Sequence, residues 1–77
     1  MENNDYKYGV GVFGIGDVAT EHIKGYIKNP LTKIKALASR KKESAQNAKE
    51  KFNLGCDILD TYDQLLDRDD ISIISMC

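Results

Sequence analysis

No run of residues in the sequence approaches the roughly 18 consecutive apolar positions that a membrane-crossing helix requires. The first seven residues, Met1 to Lys7, are polar, carry Glu2 and Asp5, and lack the apolar centre of a signal peptide. An excess of one charge is missing too. The 11 Lys and Arg residues stand against 12 Asp and Glu, for a net charge of −1, so nothing directs the chain toward nucleic acid or an anionic membrane. The two cysteines, Cys56 and Cys77, have neither metal-site nor disulfide-framework spacing, and they read as reduced, buried thiols of a cytoplasmic protein. With one histidine, His22, the chain offers no zinc ligand set and no Ser-His-Asp constellation. A G-x-x-x-x-G-K-[ST] phosphate loop is absent as well. What is present is 42% apolar and 30% charged residues over 77 positions, a globular composition at about half the length of a usual domain.

The organising stretch is Tyr8 to Ala19, Tyr-Gly-Val-Gly-Val-Phe-Gly-Ile-Gly-Asp-Val-Ala. A Val- and Phe-rich run breaks at Gly14-Ile15-Gly16 and continues with helical periodicity, the strand–turn–helix setting of a dinucleotide fingerprint. Gly14 permits the sharp turn at the strand end, and Gly16 has no Cβ to hold the backbone off a pyrophosphate. Ala19 takes the third small position, where the helix packs on the strand. Backbone N–H groups of Asp17 and Val18, at the positive end of the helix dipole, then face the phosphates. The Asp17 carboxylate itself would repel them, so it is expected to cap the helix and turn away.

From there the chain alternates. Asp17 to Lys28 has Val18, Ala19, His22, Ile23, Tyr26 and Ile27 at three- and four-residue spacing, an amphipathic helix. It ends at Asn29-Pro30, because the residue before proline avoids helical angles. His22 lies on its packing face and reads as structural. Thr32 to Ser39 is a second strand, alternating first (Ile34, Ala36) and then continuous through Leu37 and Ala38. Glu43 to Phe52 is a second helix, whose mixed Lys and Glu side chains make a solvated face. Asp57 to Leu59 is a short third strand. Thr61-Tyr62-Asp63-Gln64 matches a capping box and starts a short helix, Tyr62 to Leu66. Ile71 to Cys77 is a fourth strand, buried by its composition. The sequence stops inside it, so a longer parent protein is expected. The fold class is therefore α/β, a parallel sheet in β-α-β-α-β-α-β order with strands in space as 3-2-1-4. Residues 1–7 form a polar tail and 8–77 a nucleotide-binding domain, the amino-terminal half of a Rossmann fold.

The ribose end is read from Ser39-Arg40-Lys41. An Asp or Glu would stand about 20 residues past the glycines to bind the 2′-OH of NAD, and no acid is there. A hydroxyl followed by Arg40 and two lysines suits a 2′-phosphate held by a charge-assisted fork, hence NADP, with NAD possible. The alternative is a solvated basic helix start, awkward at the positive helix end. A methyltransferase would also want an acid closing strand 2. Met76 and Cys77, at the end of strand 4, complete the cofactor-binding set.

In these residues the chain resembles the Gfo/Idh/MocA oxidoreductases. The matching pieces are Gly11-Val-Phe-Gly-Ile-Gly-Asp-Val-Ala19 with His22, then Ala36-Leu-Ala-Ser-Arg40, then Tyr62-Asp-Gln-Leu-Leu-Asp67 and the last strand. The resemblance implies the nucleotide-binding part of an NAD(P)-dependent oxidoreductase that moves a hydride to or from a hydroxyl or carbonyl of a sugar, cyclitol or diol. It implies further that catalysis falls to a Glu-Lys-Pro lysine and a substrate domain beyond this sequence. No catalytic residue is assigned among the 77, and the parent is expected to be a homo-oligomer. The competing reading is a non-catalytic module that senses NADP.

Overall fold

The computed structural model describes residues 6–14 and 17–76, with Asp17 and Val18 described by their backbone alone. Seven elements follow one another: β1 (Tyr8–Phe13), α1 (Asp17–Lys28), β2 (Thr32–Ala38), α2 (Lys42–Lys51), β3 (Asp57–Leu59), α3 (Tyr62–Leu66) and β4 (Ile73–Met76). The strands form one sheet in the order β3-β2-β1-β4, every pair parallel. That is the expected topology. A helix between each pair of successive strands leaves no room for a hairpin, and parallel pairing follows.

Both faces of the sheet are covered. Val10 and Val12 of β1, Ile34 and Leu37 of β2, Ala19 and Ile23 of α1, Ala45 and Ala48 of α2, and Cys56 form one buried cluster. On the other face Ala36, Ala38 and Leu65 of α3 are buried together, with Phe13, Tyr62, Ile71 and Ile74 packed around them. Ile34 and Ala36, read from the sequence as one alternating row, lie on opposite faces. The pairing with β1 slips by one residue between Val10 and Gly11, so Lys35 is an extra residue in β2. Such a bulge shifts the side-chain phase by one, which puts Leu37 with Ile34 and Ala38 with Ala36.

The short helix α3 is held by its ends and by one side chain. The Thr61 hydroxyl accepts the Gln64 N–H at 3.2 Å, and the Gln64 carboxamide oxygen accepts the N–H groups of Thr61 and Asp60 at 3.2 and 2.6 Å. Such a cap contributes about 1 kcal/mol. Leu65, fully buried, adds roughly 1.5–3 kcal/mol.

The connection to β4 differs from expectation. Ile71 and Ser72 precede the strand, because the Ile71 N–H closes the turn after α3 on the Arg68 carbonyl at 3.4 Å. Ser72 then donates to the Gly9 carbonyl at 2.9 Å, and β4 starts at Ile73. Ile73 and Ile74 are half-buried rather than buried, since β4 is the outer strand of the described sheet. Arg68 clamps this connection from below. Its Nη1 reaches Asp57 at 2.7 Å, and its Nε and Nη2 hold both oxygens of Asp70 at 2.8 and 2.6 Å. The forked bond from Arg68 holds the Asp70 carboxyl below the usual carboxylate range, outweighing its slight burial. The entrances of β3 and β4, on opposite edges of the sheet, are thereby tied together.

Cys56 is free and 4% exposed, and burial pushes its thiol up, against the opposing influence of Lys49. Cys77 lies outside the described residues.

Candidate functional site

Three strands end side by side at the carboxyl edge of the sheet. Phe13 pairs with Ala38 on one side and with Met76 on the other. Gly14 follows with φ 83°, a left-handed backbone that a Cβ disfavours. Its N–H donates to the Ala38 carbonyl at 3.0 Å, which fastens the end of β1 to the end of β2. Gly14 is thus required by backbone geometry, as the sequence implies. Ile15 and Gly16 lie outside the described residues. Asp17 and Val18 are the first two residues of α1, a helix of 12 residues. Its first N–H groups have no partner within the helix, and with the dipole they favour an anion there.

The chain steps from β1 to β2 to β3 in one direction and then returns to place β4 on the other side of β1. Ligands of open α/β sheets bind in the crevice beyond such a reversal, at the carboxyl ends of the strands. Gly14, the start of α1 and Met76 flank this crevice, and Met76 is 63% exposed.

The predicted ribose residues leave β2 at the same edge and divide into two roles. Ser39 is buried at 8% exposure, and its hydroxyl accepts the Lys41 N–H at a long 3.4 Å, inside the turn that enters α2. Arg40 and Lys41 are exposed, and among the described residues no carboxylate pairs with either. Lys41 is the residue before α2 and makes no side-chain cap bond. Lys42, one residue on, lies 3.7 Å from Asp60, an exposed ion pair of little energetic weight. The carboxyl end of β2 therefore presents free cations and a hydroxyl held inward.

Two features of this edge escaped sequence reasoning. Phe13 and Tyr62 meet edge to face at 5.6 Å between ring centroids, closing the α3 side of the crevice. The available signal was an aromatic residue at the last position of β1 and another at the first of α3, both of which topology places at one edge. The second is the approach of His22 to Ser75, 3.2 Å from Nδ1 to Oγ, a pairing across 53 positions that no local pattern announces.

A cavity of about 370 Å³ lies at the opposite end of the sheet, lined by Tyr6, Tyr26 and Phe52 among others. It is bounded by the last turns of α1 and α2. Helix carboxyl ends disfavour phosphates, so a dinucleotide belongs at the other edge.

Sheet order, the left-handed glycine at the end of β1 and the helix that follows are those of a dinucleotide-binding domain of the Rossmann type. The chain belongs to the Gfo/Idh/MocA family, the oxidoreductase family with an NAD-binding Rossmann fold, whose sequence profile matches residues 8–77. It is 36% identical over 66 residues to dTDP-3,4-didehydro-2,6-dideoxy-alpha-D-glucose 3-reductase of Streptomyces violaceoruber, covering 84% of this chain and 19% of the reductase. It also matches KijD10, a 3-ketoreductase from Actinomadura kijaniata solved with NADP and TDP-benzene, at 34% identity and a TM-score of 0.77. That match covers 87% of this chain and 20% of KijD10. GenD2 from gentamicin A biosynthesis, solved with NAD, is 18% identical over 94% of this chain and 20% of its own, with a TM-score of 0.82, and so shares the fold. The chain spans about a fifth of the length of these relatives. No helix among the described residues is long and apolar enough to cross a membrane.

Proposed function

We propose that the carboxyl edge of the sheet binds NADP(H), and that the chain is the nucleotide-binding part of an oxidoreductase acting on a sugar-type ketone or alcohol. The observation that carries this is the pairing of the Gly14 turn, fastened to Ala38, with a β2 end that offers Arg40 and no acid. Backbone groups of Gly14 through Val18 hold the pyrophosphate, while Arg40 and Lys41 hold the ribose phosphate. Met76, at the end of β4, and Cys77 after it complete the proposed cofactor-binding set. Bound there, the nicotinamide supplies or accepts a hydride. The chain's own part in this reading is to bind and orient the cofactor, while proton transfer on the substrate falls to other groups. The similarity to two 3-ketoreductases supports a nucleotide-linked keto sugar as the substrate class in this reading. The parent enzyme is proposed to work in the cytoplasm, in keeping with a free thiol at Cys56, and as a homo-oligomer.

The reading is tested by mixing the chain with NADPH and a panel of keto sugars. NADPH fluorescence should report binding while its near-ultraviolet absorbance stays constant. Protein-dependent consumption of NADPH would contradict the division between a binding part here and catalytic groups elsewhere. Failure to bind at any accessible concentration would contradict the binding assignment.

A further inference from the structure

Ser75 is an anomaly in the row it occupies. On the face of the sheet that carries α1, β1 contributes Val10 and Val12, and β4 contributes Ile73, packed against the same cluster. Ser75 pairs in register with Val12 and is 7% exposed. An apolar residue would serve the core better there, because a buried hydroxyl is costly unless it is hydrogen-bonded. His22, otherwise exposed, brings its Nδ1 to 3.2 Å from the Ser75 Oγ. With the ring proton on Nε2 the hydroxyl donates to Nδ1; with the proton on Nδ1 the ring donates to the hydroxyl.

The position of this bond matters. His22 is five residues past Asp17, so it sits about 7.5 Å along α1 from the helix start. Ser75 is one residue, about 3.3 Å, short of Met76 at the strand end. The bond therefore ties α1 to β4 just beneath the crevice those two elements flank. Apolar contacts such as those of Ile23 and Ile73 are non-directional and tolerate sliding, whereas a hydrogen bond has a preferred length and angle.

We propose that the His22–Ser75 hydrogen bond sets the spacing of α1 and β4, and thereby the affinity of the crevice for the dinucleotide, with His22 acting as a positioning residue that does not touch the cofactor. The inference rests on the dinucleotide-binding reading of the carboxyl edge. Loss of one neutral hydrogen bond corresponds to roughly a 2- to 12-fold change in an equilibrium constant.

The test is a set of NADPH titrations by calorimetry on the native chain and on Ser75→Ala, His22→Ala, His22→Asn and the double Ala variant. Circular dichroism checks that each is folded at the temperature used. His22→Ala should weaken binding about 2- to 12-fold, Ser75→Ala at least as much, and the double variant should be no weaker than Ser75→Ala. His22→Asn, which keeps a polar atom near the place of Nδ1, should recover most of the affinity. Native binding with unchanged affinity in both folded single variants would overturn the inference and leave the dinucleotide reading intact, as would full additivity in the double variant. Absence of NADPH binding by the native chain would overturn the dinucleotide reading and the inference with it.

Discussion

Gly9→Ala is expected to lower the stability of the fold steeply. A Cβ on Gly9 would fall on the carbonyl oxygen of Asp70 and lie 3.0 Å from its carbonyl carbon and 3.1 Å from Lys35 Cγ. The obstacle is backbone, and that backbone is held. Ser72 donates to the Gly9 carbonyl itself, and the Arg68 fork fixes Asp70. Overpacking typically costs about 1–3 kcal/mol and more where nothing can yield. At roughly 0.05–0.15 kcal/mol per residue a chain of this length holds on the order of 4–12 kcal/mol, so the loss is a large share of the total. Gly25→Ala is the control. Nothing lies within 4 Å of a Cβ there, and alanine inside α1 should stabilise by about 0.5–1 kcal/mol. Thermal unfolding followed by circular dichroism should move down steeply for the first and slightly up for the second. Gly9→Ala melting like the native chain would show that the crossing of β1 by residues 70–72 is looser than described.

That crossing is also where legibility ends. The element order, the limits of α1, β3 and α3, and the Thr61 cap could all be read from the residues, because each rests on local chemistry: apolar spacing, a proline, a side chain that bonds its own helix end. The reading of Gly14 succeeded for the same reason, as a strand-to-helix turn announces its own need for φ above zero. Gly9 and Gly11 passed unremarked inside a run of Val and Phe. Glycine within a strand signals close approach by another part of the chain, here the Asp70 backbone at Gly9 and the Leu65 and Ile71 side chains at Gly11. Those residues lie far along the sequence, and only the topology brings them there. The bulge at Lys35 was illegible too. An alternating pattern has no way to mark one unpaired residue, and so it puts Ile34 and Ala36 on one face where the bulge separates them. At the site, the sequence offers the Ser39 hydroxyl and the Arg40 cation together for the ribose phosphate. The turn into α2 draws the Ser39 hydroxyl inward and leaves Arg40 exposed, and this alters which residue is the better probe of cofactor choice.

Arg40→Ala should weaken NADPH binding about 10- to 100-fold, on the basis of a charge-assisted hydrogen bond of about 1.5–3 kcal/mol. The NADH affinity should change little, since NADH has no phosphate at that ribose. Because Arg40 is exposed, the difference should shrink as salt shortens the screening length from about 10 Å at 0.1 M to about 3 Å at 1 M. A carboxylate at position 39 is a poorer test, as Ser39→Asp would bury a charge at an 8% exposed site and confuse stability with selectivity. Calorimetric titration of both cofactors at two salt concentrations checks the expectation. Equal losses for NADPH and NADH would make Arg40 structural. No loss for either would remove the ground for preferring NADP.

The central claim is that a dinucleotide lies across the carboxyl edge of this sheet. It is tested most directly by following the backbone amide resonances of the isotope-labelled chain as NADPH is added. The account predicts saturable shifts concentrated at Gly14, at the first residues of α1, at Arg40 and Lys41, and at Met76, with the last turns of α1 and α2 unmoved. Shifts centred instead on Tyr26, Phe52 and Leu54, around the cavity at the other end of the sheet, would contradict it.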